Sequence, residues 1–132
     1  MQLNPVSKTN FQAKIIPSKA LSYALEHAQD EAKTGTKNGL KQAQKFYNNM
    51  RTIEKDRRVN EFLVDSDSEI FHPCIKFGRN ISLLRLYGFS PKDFAYSIID
   101  EVNRLVEDRY LRDQISDEAK DVDLTKAFER WM

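Results

Sequence analysis

A glycine-bounded turn between two amphipathic runs constrains this chain more than any other feature. Over residues 18–34 the apolar positions Leu21, Ala24, Leu25, Ala28 and Ala32 recur at the helical period. Ser18 stands where a helix N-cap belongs. Gly35 stands where a C-terminus needs a residue free to turn left-handed. Leu40, Ala43, Phe46, Tyr47, Met50 and Ile53 then repeat the period over 37–56. The connection through Gly35 and Gly39 is short, so the second helix folds back as an antiparallel neighbour of the first.

The apolar stripes of this hairpin need a cover, and the rest of the chain supplies the material. Phe11, Ala13 and Ile15 alternate as a short strand ended by Pro17. VNEFLVD (59–65), IFHPCIKF (70–77) and ISLLRLY (81–87) are rich in β-formers, with the acidic turn DSDSE (65–69) and the hairpin turn Gly78-Arg79-Asn80 between them. Residues 81–87 would suit a strand or a short helix, and we read them as a strand. At Ser90-Pro91-Lys92-Asp93 a cap is followed by proline in the first helical position, and Phe89 and Phe94 occupy the two places of a hydrophobic staple. A long third helix follows to about residue 111, burying Phe94, Ala95, Ile98, Val102, Leu105 and Val106. Asp123 caps a short terminal helix with Leu124, Ala127, Phe128 and Trp131 on one side.

The expected fold is therefore α+β: an antiparallel helical hairpin and a long third helix packed on a small antiparallel sheet of about three or four strands, with a short C-terminal helix. Residues 1–10 are expected to form a flexible N-terminus and 11–132 a single globular domain. With 132 residues, 40% hydrophobic and 31% charged, the chain can bury one core without staples. One cysteine makes no intrachain disulfide. The start carries no apolar leader and no run reaches membrane length, which points to a cytoplasmic protein with no membrane contact. The sequon Asn80-Ile81-Ser82 is read as incidental for the same reason.

The motifs that could carry chemistry are each incomplete. His72 and Cys74 share one side of a strand, but a structural zinc site wants four ligands and the only other candidate, His27, lies far away on the first helix. No strand-to-helix elbow presents Cys74 at a helix N-terminus, where a thiolate is stabilised. Asp65-x-Asp67-x-Glu69 begins like a calcium loop, yet the required glycine and glutamate are Ile70 and Lys76. Between Gly35 and Gly39 the spacing is short of a P-loop, and Leu40 follows in place of lysine. No catalytic residue, metal ligand or cofactor is expected. An enzyme built from unfamiliar parts remains the rival, and a ligand that raises thermal stability would reveal it.

Two binding readings remain. Residues 1–58 carry 11 Lys and Arg against 5 Asp and Glu, and residues 59–132 carry 10 against 15, for a net charge of +1. The basic side chains Lys37, Lys41, Lys45, Arg51, Lys55 and Arg58 fall on the polar side of the second helix, where they could follow a phosphate backbone. Residues 83–99 mimic a helix-turn-helix, but the second element starts with Lys92, Asp93, Tyr96, Ser97, Asp100 and Glu101, a mildly acidic face that would repel DNA. The near-neutral balance favours the other reading: a small non-catalytic interaction or accessory module, meeting a protein partner or a second copy of itself through aromatic residues such as Tyr96, Phe128 and Trp131.

Overall fold

The computed structural model describes residues 13–66 and 73–132, so the expectations for the N-terminus, His72 and most of the acidic turn lie outside the described residues. Helix α1 (Lys19–Thr34) begins at Ser18, whose Oγ accepts from Leu21 N–H at 3.1 Å, and ends at Gly35 with φ of 71°. Thr36 caps α2 (Lys37–Glu54) through Gly39 N–H at 3.0 Å. A Cβ at Gly39 would stand 2.9 Å from the Glu31 carbonyl, so only glycine allows the two helices to meet this closely. The second helix stops at Glu54, two residues short of expectation. There Asp56 Oδ1 accepts from Arg58 N–H at 2.8 Å and turns the chain out of the helix.

Four strands, β1 (Lys14–Ile15), β2 (Glu61–Asp65), β3 (Cys74–Phe77) and β4 (Asn80–Leu83), form one sheet in the order β1-β2-β3-β4. The sheet is mixed: β1 runs parallel to β2, while β2-β3 and β3-β4 are antiparallel. The reason is topological, because the whole α1–α2 hairpin is the crossover that a parallel pair requires. Gly78, with φ of 62°, opens the two-residue turn between β3 and β4. Arg79 has negative φ, which identifies the type II′ class that matches strand twist.

Phe62, Val64, Ile75 and Phe77 project from the sheet into the core, where they meet α1, α2 and α3 (Pro91–Arg109). Ser90 caps α3 by accepting from Asp93 N–H at 3.1 Å, with Pro91 in the first turn as expected. The staple is not formed. Phe89 is 97% exposed, and Phe94 instead packs edge-on against Tyr23 with ring centroids 6.4 Å apart. The Asp93 carboxylate occupies the space where a Cβ on Gly88 would fall, and the chain enters α3 with Phe89 turned outward. Residues 81–87 are a strand only as far as Leu83, after which the chain runs irregularly and Tyr87 N–H donates to Ser97 Oγ at 3.1 Å. Past α3, residues 112–121 cross α2 in two short 3-10 turns. They are held by Ser116 N–H to Thr52 Oγ1 at 2.8 Å and Ala119 N–H to Asn48 Oδ1 at 2.9 Å. Helix α4 (Leu124–Ala127) and a final 3-10 turn (Phe128–Trp131) close the core. Among the described residues no helix is long and apolar enough to cross a membrane.

Candidate interaction surface

The basic residues of α2 do not form an open stripe. Lys45 Nζ lies 3.0 Å from Glu107 on α3, and Arg51 is mostly buried between Glu54 and Glu118. Lys55 also pairs with Glu118. Arg58 lies beyond the helix end and forks onto Asp56 at 3.2 and 3.3 Å. Only Lys37 and Lys41 of the six have no ion pair among the described residues. Four of the six cations expected to meet phosphate are thus paired within the fold, by Glu107 and Glu118 from the second half of the chain and by Glu54 and Asp56 from the first.

The three aromatic candidates separate. Phe128 is fully buried and Trp131 is 2% exposed, so neither offers surface to a partner. Trp131 Nε1 donates to Glu54 Oε2 at 3.1 Å, which satisfies its one polar group inside. Tyr96, at 40% exposure, does reach the surface. Its ring stands edge-on to His27 with centroids 4.6 Å apart, and His27 Nε2 lies 3.3 Å from Glu31 Oε1. Together they rim a cavity of about 230 Å³ over Ala43, Phe46 and Ile99. Among the described residues no Ser, Thr or Cys side chain lines it.

Cys74 is buried in β3, and burial, with the Asp65 charge beside it, pushes its thiol above the usual range. Among the described residues no group of His, Cys, Asp and Glu is placed to hold a metal ion. Two predictions follow from that burial. Cys74→Ser should lower stability by about 1–3 kcal/mol, because a hydroxyl is more costly to desolvate than a thiol. The native thiol should react with a disulfide reagent far more slowly than the urea-unfolded chain. Rapid native reaction would place the sulfur at the surface.

The surface that sequence reasoning missed lies on β4 and the segment after it. Ile81 is 63% exposed, Leu83 58%, Tyr87 60% and Phe89 97%. Leu84 points inward and is buried, and Leu86 is partly so. The signal was present in the sequence: so many apolar residues in a strand of alternating sides cannot all face one core. Ile81 and Leu83 share the side opposite the helices. Ser82 faces the helices and donates to Glu101 on α3, which also accepts from Arg104. The Asp100 carboxylate beside the Tyr87 phenol raises its pKa. Compared with family models, curated proteins and solved structures, the chain matches none, so its own surface carries the functional argument.

Proposed function

We propose that this chain is a small non-catalytic interaction module whose protein partner docks on the outward side of β4 and the segment leading into α3. One observation carries the reading: Ile81, Leu83, Tyr87 and Phe89 stand in water within one short stretch. Fully burying a side chain of this kind gains about 1.5–3 kcal/mol, and clustered exposure on that scale characterises binding surfaces more than solvated ones. The ion pairs along α2 support the same choice, since they leave little free cation for a nucleic acid.

The test uses two arms. A photo-reactive amino acid at Leu83 is expected to trap one protein in producing cells, and one at Lys41 to trap none. Phe89→Ser, introduced beside the Leu83 probe, should remove that adduct. The second arm is gel retardation with duplex and single-stranded DNA and RNA at low salt. Micromolar binding lost on changing Lys37, Lys41 and Lys45 to glutamate would replace the protein-partner reading with the nucleic-acid one.

A further inference from the structure

We infer that the docking element is an extended segment of another protein, apolar at alternate positions and acidic at its ends, which adds to the sheet as a strand beside β4. The inference rests on the interaction reading above and specifies its partner. Hydrogen-bond parity decides which residues of β4 face the open edge. Phe77 and Asn80 close a two-residue turn, so they form a bonded pair, and bonded pairs then recur at every second residue. Ile75 and Ser82 are the next such pair. Leu84 N–H donating to the Pro73 carbonyl at 2.9 Å continues the series. On the other side of β3, Gly78 N–H donating to the Glu61 carbonyl at 2.8 Å shows the complementary parity toward β2. The backbone groups of Asn80 and Ser82 are therefore spent on β3, whereas those of Ile81 and Leu83 point out of the sheet's open edge.

Natural edges are usually blunted by proline, lysine or extreme shortness. The opposite edge obeys that rule: β1 is two residues long and Pro17 follows it closely. β4 carries neither proline nor lysine. Its two edge-directed residues are also the two whose apolar side chains are exposed, so one added strand would satisfy backbone and side chain together. On the side facing α3 the neighbours are Ser82, Glu101 and Arg104, which suits polar residues at the alternate positions of the incoming strand.

Charge selects the occupant. Arg79 precedes β4 and Arg85 follows it; both are exposed, and neither has an ion pair among the described residues. A second copy of this chain fits poorly. The antiparallel register that uses both free residues sets Ile81 opposite Leu83 of the other copy, and that same register brings Arg79 toward Arg85 of the other copy. Like charges directly opposed on paired strands are destabilising. Carboxylates at both ends of the incoming strand convert the same positions into attraction, in either strand direction.

The experiment titrates nitrogen-labelled full-length protein with short peptides alternating valine and threonine, flanked by aspartates or by lysines, and with a peptide copying residues 79–85. In the free protein the amides of Ile81 and Leu83 should exchange with solvent much faster than that of Ser82. Saturation with the aspartate-flanked peptide should slow both by about tenfold or more, and the lysine-flanked peptide should bind about tenfold more weakly. Ile81→Pro removes an edge-directed N–H that β3 does not use, and should abolish the effect. Arg79→Glu with Arg85→Glu, which leaves the core untouched, should reverse the preference between the two peptides. Equal binding of both flanked peptides overturns the charge argument. Preferential binding of the 79–85 peptide makes a second copy the occupant instead. Failure of every peptide to protect Ile81 and Leu83 overturns strand addition. A persisting Leu83 adduct would then leave the interaction reading standing, and its absence would remove that as well.

Discussion

Phe128→Ala is expected to lower the free energy of unfolding by about 3–5 kcal/mol. The ring is fully buried, stacked on Phe46 with centroids 5.8 Å apart and edge-on to Tyr47 at 5.7 Å, with Trp131 beside it at 6.2 Å. Truncation leaves a cavity under the last turn of the chain, between rings that the α2 backbone holds in place. A domain of this size is stable by something on the order of 10 kcal/mol, so one ring near the C-terminus carries a large part of the total. Urea unfolding followed by far-ultraviolet circular dichroism measures the change directly. A partner anchor would behave in the opposite way, with stability kept and binding lost. A loss below about 1 kcal/mol would therefore restore Phe128 to the surface.

That residue illustrates why part of the structure was legible and part was not. Ser18, Gly35, Ser90 and Pro91 act within a few residues of themselves, and the structure places each in the role its chemistry implied. The α2 boundary was harder to place, because Lys55 and Asp56 extend a plausible polar face, and only the Asp56–Arg58 turn ends the helix. The hairpin turn at Gly78-Arg79-Asn80 marked β3 and β4 as antiparallel, but the direction of β1 was not legible. Nothing local distinguishes a β1 that pairs parallel to β2 from one that pairs antiparallel, since the choice belongs to the crossover. The terminal run of Leu124, Ala127, Phe128 and Trp131 is amphipathic whether it covers its own core or another protein's. Its destination depends on Tyr47 and Phe46, far away in sequence.

The same distance hid a buried polar contact between two helices. Asn49 on α2 and Asn103 on α3 are both buried, and Asn49 Nδ2 donates to Asn103 Oδ1 at 2.6 Å. In sequence each looks like one more polar position on a helix face. Changing either one alone to leucine should cost about 1–3 kcal/mol, because the remaining amide stays buried without its partner. Changing both together should cost clearly less than the sum, since no stranded amide remains, and a coupling of about 0.5–3 kcal/mol is expected from the four-protein cycle. Additivity within about 0.5 kcal/mol would mean that the bond contributes nothing of its own. The pair also bears on alignment. Sliding α3 by one turn, about 5.4 Å, would leave both amides unbonded in an apolar interface, so the native register is favoured by the penalty on its alternatives. That register sets where Ser97, Glu101 and Arg104 meet β4 and the segment after it. In the double leucine variant that penalty is gone. We therefore expect near-native stability combined with broadened amide resonances at Ser82 and Tyr87, and sharp, unshifted signals there would deny the pair any aligning role.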